Sequence, residues 1–269
     1  MDGEAASRAE VLVRPWPVWR WSERLAESGR RIDWRFSLIP ILALGCIPLY
    51  LGVNTVGPNL GSSSFDPSSG LDAAIPALPW TSLIYLSLFW LFYPLSFFAG
   101  PADRRGRMQV YSLMQGLILL QLVSNLIFLL FPTGVHLRQQ MLDVLPTADA
   151  LSRSLMGGIH GIDSSHSAWP SLHISHGVLI SLALHRWLPA RFGERAVPLR
   201  WLLWFACAAL AVSTLTTKQH YLFDVATGGA LAALVWNRLL APWWDRLDAM
   251  ADGQLPRATA GRPVSVTPD

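Results

Sequence analysis

Residues 111–131 read YSLMQGLILLQLVSNLIFLLF, a run of 21 residues without a charged side chain. A helix needs about 20 mostly apolar residues to cross the roughly 30 Å hydrocarbon core of a bilayer. This stretch therefore predicts a transmembrane helix. The whole 269-residue chain agrees, because 52% of its residues are hydrophobic and only 14% are charged, against about 25% charged in soluble domains. This composition excludes an ordinary soluble domain, a disordered chain and a fibrous repeat.

Five further stretches are apolar enough to be interpreted as spans. The six predicted spans run approximately from Phe36 to Val53, Trp80 to Ala99, Tyr111 to Phe131, Ser171 to Leu188, Pro198 to Thr216 and Tyr221 to Leu240. The predicted fold class is therefore all-α: a polytopic membrane protein with six transmembrane helices. We expect a basic, Trp-rich interfacial segment over residues 1–35, the six-span domain over 36–240 and a polar C-terminal tail over 241–269.

The basic residues predict the orientation of the chain. Of 21 Lys and Arg residues, 18 fall in the N-terminal segment, in the connections after the second and fourth spans, or around the end of the sixth span. The other three are Arg138, Arg153 and Lys218. The positive-inside rule then places both termini in the cytoplasm. We expect an integral protein of a bacterial inner membrane, whose arginines meet anionic headgroups and not nucleic acid.

Polar side chains at the outer end of the predicted sixth span are candidates for chemistry. His220 and Asp224 are four residues apart, so on a helix they share one face. A carboxylate in this position can hold one imidazole nitrogen and leave the other nitrogen free to attack or to bind. The same spacing also fits a polar pair that merely caps the start of a helix.

The predicted fourth span opens with Trp169-Pro170-Ser171-Leu172-His173. Proline is well tolerated in the first turn of a helix, and the free N–H groups there form an anion site. His173 and His220 both fall on the predicted outer side, and Lys218 precedes His220 by two residues. Two histidines, a carboxylate, a cation and a helix start on one side of the membrane favour a phosphate ester as ligand.

Two of these stretches resemble motifs of a known family. Pro170-Ser171-Leu172-His173 is similar to the Pro-Ser-x-His motif of the type 2 phosphatidic acid phosphatase superfamily. The stretch from Ser213 to Asp224 resembles its third motif, Ser-Arg-x5-His-x3-Asp. The wording Pro-Ser-Leu-His, the His-Tyr pair at 220–221 and the phrase Phe131-Pro132-Thr133 resemble the inositol phosphorylceramide synthase-like branch. The resemblance covers about residues 80–240.

The resemblance implies roles for three residues. His220 is expected as the nucleophile, Asp224 as its orienting partner and His173 as the general acid. A phosphohistidine would form and pass its phosphoryl group on, without a metal or other cofactor. Lys218, Ser171 and the helix-start N–H groups are expected to hold the phosphate. The family's third-motif arginine falls on Thr214, so Lys218 is expected to replace it.

Two further expectations concern residues outside those motifs. Arg138, after Phe131-Pro132-Thr133, is the candidate for the family's first motif, a lysine followed by Arg-Pro, which is absent here. His176 is predicted to be a polar packing residue on the same helix face as His173. A zinc site formed by His166, His173 and His176 is an alternative, although catalytic zinc requires well-placed ligands and further partners around them.

The leading interpretation is an integral-membrane lipid phosphatase that cleaves a lipid phosphate ester at the outer leaflet. The alternative is a phosphotransferase that moves a phospho-headgroup to a lipid alcohol, as inositol phosphorylceramide or sphingomyelin synthases do. A lesser alternative is a transporter that uses Asp224 and the histidines as a proton relay. The clustering of polar residues at one interface argues against it, because transporter sites lie near the midplane. The sequence predicts neither the lipid nor the oligomeric state.

Overall fold

The computed structural model describes residues 11–29, 33–56, 59, 65–163 and 167–252. Over these residues the chain is helical throughout and contains no β-strand, which confirms the all-α prediction. One isolated β-bridge joins Thr133 to Ser167 and so connects the two ends of the long loop before the predicted fourth span.

The helices are labelled in chain order. They are α1 (Arg20–Glu27), α2 (Leu38–Val56), α3 (Gly70–Ala74), α4 (Ser82–Tyr85), α5 (Tyr93–Phe98), α6 (Arg104–Leu130), α7 (Arg138–Val144), α8 (Ala150–Ile162), α9 (Leu172–Phe192), α10 (Ala196–Thr216), α11 (Leu222–Val235) and α12 (Ala241–Ala251). Two π-helical segments, Leu88–Phe92 and Trp236–Leu240, precede α5 and α12.

Four segments of the described chain are long and apolar enough to cross a membrane. They are Trp34–Val56, Pro79–Phe98, Arg104–Leu130 and Leu172–Thr216. The last segment has 45 residues and contains both α9 and α10, which a short 3-10 turn at Gly193–Arg195 joins. The helix α11, in the predicted sixth span, has 14 residues and continues into a π-helical segment. Six crossings with cytoplasmic termini therefore stay a prediction.

The helix α9 lies at the centre of the bundle. It packs against α10, α11, α6 and α5. Its serines do not conflict with this burial, because Ser181 Oγ, for example, donates to the Gly177 carbonyl within the same helix at 2.8 Å. Helix packing in a membrane relies on close contact between small residues and on such satisfied hydroxyls. The central position of α9 fixes the direction of the side chains at its start.

The Trp-rich N-terminal segment, as far as it is described, docks onto the first turns of α6. Trp19 is buried, stacks on Tyr111 at 5.2 Å between ring centroids and donates its indole N–H to Gln115 Oε1 at 2.8 Å. Trp34 is also buried and meets Tyr111 edge-on, whereas Trp21 is exposed. Two of its aromatic rings thus anchor the segment to the bundle.

Residues 241–251, which the sequence assigns to the polar tail, form α12. Trp244 is fully buried, stacks on Trp187 at 5.1 Å and donates to Ser112 Oγ at 2.8 Å. Paired tryptophans inside a polar stretch therefore extend the packed bundle beyond residue 240. Residues 253–269 of the expected tail lie outside the described residues.

Candidate active site

A cavity of about 720 Å³ lies between α2, the segment Pro79–Phe98 and the start of α9. Its apolar walls come mainly from α2 and Pro79–Phe98. Its polar lining is formed by Tyr50, Tyr85, Tyr93, Gln121, Arg138, Asp163, Ser167, His173, His176, Gln219 and His220. The cavity thus brings together His173 and His220, which the sequence analysis named as candidate catalytic residues, and Arg138, which is distant from both along the chain.

His220 follows the turn that connects α10 to α11. This turn is held by Thr214, whose carbonyl accepts from the amides of both Gln219 and His220. The imidazole Nδ1 of His220 lies 3.0 Å from the carbonyl oxygen of Ala168. A carbonyl can only accept, so Nδ1 carries the proton when the ring is neutral. The other nitrogen, Nε2, then keeps its lone pair, as a nucleophile requires.

Asp224 lies in the first turn of α11, buried beside His220. Its Oδ2 accepts from the amide of Tyr221 at 2.8 Å and lies 3.6 Å from His220 Nδ1, beyond a good hydrogen bond. The other oxygen, Oδ1, is buried without a hydrogen-bond partner among the described residues. The structure thus places Asp224 next to the imidazole, as expected, and adds the carbonyl of Ala168 as the nearer partner of Nδ1.

His173 lies opposite His220, with 6.2 Å between the ring centroids. Its ring stacks on Tyr85 at 3.9 Å, and Phe89 approaches it edge-on at 5.9 Å. Its Nε2 is buried and has no hydrogen-bond partner among the described side chains. An imidazole held between aromatic rings with one free nitrogen can exchange a proton with a group bound between the two histidines.

Ser171 is placed differently from the expectation. Its side chain is fully buried and caps α9, where Oγ accepts from the amide of Ile174 at 3.4 Å. The hydroxyl does not line the cavity, whereas Leu172 and His173, the first residues of α9, do. The N–H groups of these two residues have no partner within the helix, as in the first turn of any α-helix. The helix start, and not the Ser171 hydroxyl, therefore has the free N–H groups that could bind an anion.

Arg138 contributes the positive charge of the cavity. Its Nη1 donates to the Asp163 carbonyl at 2.7 Å and its Nη2 to Gln219 Oε1 at 2.7 Å. Its Nε is buried and lacks a partner among the described residues. Burial lowers the pKa of Arg138, but a guanidinium stays charged at neutral pH. Two of the five N–H groups are held by protein acceptors, so the guanidinium is fixed in place and keeps further donors for a ligand in the cavity.

Lys218 lies away from the cavity. The side chain is 1% exposed, and its Nζ donates to the backbone carbonyls of Asp72 at 2.9 Å and Ile75 at 2.5 Å. Burial lowers the pKa of Lys218. The backbone of Lys218 has a positive φ of 57°, so the tight turn directs its side chain toward α3. Lys218 thus ties α3 to the α10–α11 turn and does not line the cavity.

Thr214, where the family arginine would stand, does not face the cavity either. Its side chain is fully buried and its hydroxyl donates to the Ala211 carbonyl at 2.7 Å. The described cavity therefore receives its guanidinium from the start of α7, through Arg138, and not from α10.

The carboxylate of Asp163 was not predicted from the sequence. Its Oδ1 accepts from the Tyr50 hydroxyl at 2.6 Å and its Oδ2 from the Tyr85 hydroxyl at 2.8 Å. It therefore links α2 and α4 and holds the ring that stacks on His173. Asp163 follows the last residue of a loop helix with no motif around it, so no pattern identifies it.

Asp72 is another carboxylate that the sequence did not reveal, and it is buried. Its Oδ1 accepts from the amide of Leu222 at 2.7 Å, at the start of α11. Its Oδ2 accepts from the amide of Ser69 at 2.8 Å and also from the Ser69 hydroxyl. The pattern Ser69-x-x-Asp72 is a capping box, and this signal could have identified the short helix α3.

The described residues contain no obvious set of metal ligands. Within residues 11–29, 33–56, 59, 65–163 and 167–252, no group of three or more His, Cys, Asp or Glu side chains could hold a metal ion. The zinc alternative includes His166, which lies outside the described residues. His176 lines the cavity and bonds through Nδ1 to the Tyr93 hydroxyl at 2.7 Å.

Comparison with known proteins gives one match. A family model described as the PAP2 superfamily matches residues 64–237. No curated protein and no solved structure matches the chain. The matched region holds the second and third motifs, with His173, His220 and Asp224, and it covers well over half of the chain. The chain therefore belongs to the PAP2 superfamily, the type 2 phosphatidic acid phosphatases and related phosphotransferases, as the resemblance of its motifs predicts.

Proposed function

We propose that the protein cleaves the phosphoester bond of a lipid phosphate, with His220 as nucleophile and His173 as general acid. The observation that carries the proposal is the convergence of the two imidazoles, 6.2 Å apart, on the lining of a cavity whose other walls are largely apolar. A lipid phosphate has the matching shape, because its charged end meets the histidines and its chain meets the apolar wall.

The first half-reaction transfers the phosphoryl group to the protein. Nε2 of His220 attacks phosphorus, a P–N bond forms, and the P–O bond to the lipid alcohol breaks. Protonated His173 donates its proton to the departing oxygen, so a neutral alcohol leaves. Forming a phosphohistidine divides one slow displacement into two easier ones. The proton on Nδ1 of His220, held by the Ala168 carbonyl, keeps Nε2 available for the attack.

The phosphoryl oxygens need positive partners in the transition state. Arg138 and the first N–H groups of α9 supply them without an added metal ion. Asp224, 3.6 Å from His220 Nδ1, stabilises the positive charge that the ring gains as Nε2 bonds to phosphorus. We assign no direct phosphate contact to Lys218 or to the Ser171 hydroxyl.

The second half-reaction decides between the two enzyme classes. In a phosphatase, water attacks the phosphorus of the phosphohistidine and neutral His173 takes its proton. The P–N bond to His220 breaks, inorganic phosphate leaves, and both histidines return to their starting states. In a phosphotransferase, the hydroxyl of a lipid alcohol takes the place of water. The wording Pro-Ser-Leu-His and the His-Tyr pair favour transfer as the second candidate, since both are similar to the inositol phosphorylceramide synthase-like branch. We place hydrolysis first, as the simpler use of the same site.

We also propose six crossings of a bacterial inner membrane, with both termini in the cytoplasm and the cavity mouth on the outer face. The uneven distribution of basic residues supports this orientation. The starts of α9 and α11, which carry the histidines, then lie at the outer surface.

The experiment that tests the proposal uses the full-length protein, purified in detergent. A panel of lipid phosphates is supplied in the presence of a metal chelator, and released inorganic phosphate and newly phosphorylated lipid are both quantified. We expect inorganic phosphate from at least one lipid phosphate, and none from His220→Ala. Phosphate that appears only on a second lipid would replace hydrolysis by transfer. Absence of any phosphoester cleavage across the panel would refute the proposal.

A further inference from the structure

A second cavity, of about 380 Å³, lies at the opposite end of α9 from His173. Arg191, which lines it, comes 18 residues after His173 in the chain. At a rise of about 1.5 Å per residue, the two residues lie about 27 Å apart along the helix. This length is close to the roughly 30 Å hydrocarbon core of a bilayer. The two cavities therefore lie at opposite ends of the bundle.

Four of the long apolar segments meet at the second cavity. The segments that contain α2 and α6 begin beside it, and α5 and α9 end there. The ends of membrane-spanning helices lie at the depth of the lipid headgroups. The second cavity is thus at the level at which the phosphates of phospholipids lie.

The charged side chains that line the second cavity are all arginines: Arg35, Arg105 and Arg191. The other lining residues are small or apolar, namely Ala99, Gly100, Pro101, Ala102, Trp187 and Ala190. No carboxylate of the described chain lines this cavity, so a metal cation has no acidic ligand there. Three guanidinium groups around one cavity instead favour an anion.

Arg105 keeps donors free for such an anion. Its Nε is buried and has no hydrogen-bond partner among the described residues. Asp248 Oδ1 lies 3.5 Å from its Nη1 and Asp103 Oδ2 lies 3.9 Å from its Nε, and both distances exceed a good hydrogen bond. Asp248 is also bound by Arg186 at 2.8 Å. The carboxylates beside Arg105 therefore neutralise it only in part.

The other two arginines also keep donors for a ligand. Arg35 pairs with Asp33 through Nη1 at 2.9 Å, but its Nε is buried without a partner among the described residues. Arg191 forms no ion pair with a carboxylate of the described chain, and its Nη1 donates to the Ala99 carbonyl at 3.4 Å. A buried N–H donor without a partner is costly unless a ligand satisfies it. Phosphate oxygens are acceptors that match the planar guanidinium well.

We propose that the second cavity binds the phosphate group of an anionic phospholipid, in the leaflet opposite to His173 and His220. The three guanidinium groups meet the phosphate oxygens, and the Trp187 ring and the small residues line the space for the glycerol part. The inference goes beyond the proposed function and does not rest on it, because this cavity shares no lining residue with the one that contains His173.

The test measures the binding of phosphatidylglycerol to the full-length protein in detergent by native mass spectrometry. We expect one lipid to bind more tightly than any further lipid. Phosphatidylcholine should bind more weakly, because its ammonium group cancels the charge of its phosphate. Glycerol phosphate carries the same anionic group without acyl chains. It should need a far higher concentration, since it gains nothing from the bilayer side of the site.

Variants then locate the lipid. Arg105→Gln should raise the Kd of the first lipid about 10- to 150-fold, the range of one charge-assisted hydrogen bond, and Arg105→Lys should raise it less. Arg191→Gln should raise it about 2- to 5-fold, because an exposed charge is screened by solvent. The matched control is Arg104→Gln, at an exposed arginine that does not line the second cavity. It should keep the wild-type Kd, as should Arg138→Gln.

Each outcome decides for or against the site. An unchanged Kd in Arg105→Gln would overturn it. An equal loss in Arg104→Gln would assign the binding to diffuse attraction by exposed arginines, and a loss in Arg138→Gln would place the lipid in the cavity that contains His173; both would overturn it. Equal affinity for glycerol phosphate would overturn the assignment to a lipid. A protein that cleaves no lipid phosphate but shows the expected binding would refute the proposed function and support this site.

Discussion

The backbone amide of Ser171 donates a hydrogen bond of 3.1 Å to the carbonyl oxygen of Asp224. This bond joins the start of α9 directly to the first turn of α11. The two motifs are therefore held together by backbone atoms, and the distance between His173 and His220 does not depend on flexible side chains alone. Gly228 makes this approach possible, because a Cβ at that position would lie 2.6 Å from the Ser171 carbonyl oxygen.

Replacing Gly228 by alanine should disturb the site without touching a reacting group. The added methyl cannot fit against the Ser171 backbone, so α9 and α11 must separate, at a cost of about 1–3 kcal/mol for overpacking. A displacement of about 1 Å in a catalytic group can lower the rate about 100-fold. Thermal unfolding in detergent and release of phosphate measure the two effects.

Gly229 provides the matched control for this change. A Cβ there would meet the Ile174 side chain at 3.9 Å, an ordinary contact. Gly229→Ala should therefore keep activity, and its better helix propensity adds up to about 1 kcal/mol of stability. Equal effects of the two substitutions would show that the contact of Gly228 with Ser171 does not set the geometry.

The two histidines proposed as nucleophile and general acid should have different effects on activity when they are replaced. His220→Ala removes the nucleophile and should abolish the phosphoenzyme, detected by mass spectrometry after a rapid acid-free quench. His173→Ala removes the general acid and should lower lipid phosphate turnover about 10²- to 10⁴-fold. A nitrophenyl phosphate should be much less affected, because its leaving group departs without a proton. Equal losses on both substrates would contradict the role of His173.

The sequence alone was sufficient to predict the helical fold class and the positions of the two motif histidines, His173 and His220. Apolar runs predict helices, and the motif spacing places His173 and His220 at helix starts. The positions of Lys218 and Ser171 could not be predicted in the same way. A positive φ at Lys218 turns its side chain toward α3, and the capping of α9 occupies the Ser171 hydroxyl. Both are local backbone effects that motif spacing does not encode.

The remaining site residues depend on contacts between distant segments. Asp163 meets Tyr50 and Tyr85, and Arg138 meets Gln219, only after the loops fold over the bundle. Such pairs lack any periodicity along the chain. The family resemblance suggested Arg138 as a candidate, but it transfers roles only to matching motif positions, so it gave no guide to Asp163 or to the contact of Arg138 with Gln219.

The proposed orientation can be tested by labelling single cysteines in whole cells. Ser154 in α8 and Glu194 in the α9–α10 turn are both exposed and lie on opposite sides in this proposal. Ser154→Cys should react with an impermeant thiol reagent from outside, and Glu194→Cys only after lysis. The native Cys46 and Cys207 are buried and should contribute little background. The reverse pattern would place the site in the cytoplasm.

Arg138 should be the main cationic contact of the phosphate. A charge-assisted hydrogen bond contributes about 1.5–3 kcal/mol, so Arg138→Gln should lower kcat/KM about 10- to 150-fold. Arg138→Lys should recover only part of the loss, because an ammonium cannot reproduce the planar guanidinium contacts. Arg153→Gln, a change at an exposed arginine of the same loop region, serves as the control and should keep normal kinetics. Normal kinetics in Arg138→Gln would remove Arg138 from the site.

Lys218 should matter for stability and not for phosphate binding. Its Nζ bonds to the carbonyls of Asp72 and Ile75, and Lys218→Met leaves both without this donor. Unsatisfied buried acceptors cost about 1–3 kcal/mol, so the midpoint of thermal unfolding should fall. The cavity residues keep their places, so kcat/KM per folded molecule should stay close to the wild-type value. A kcat/KM reduced tenfold or more with unchanged unfolding would instead mean that Lys218 contacts the phosphate, as the motif comparison suggests, and that its bonds to α3 break when substrate binds.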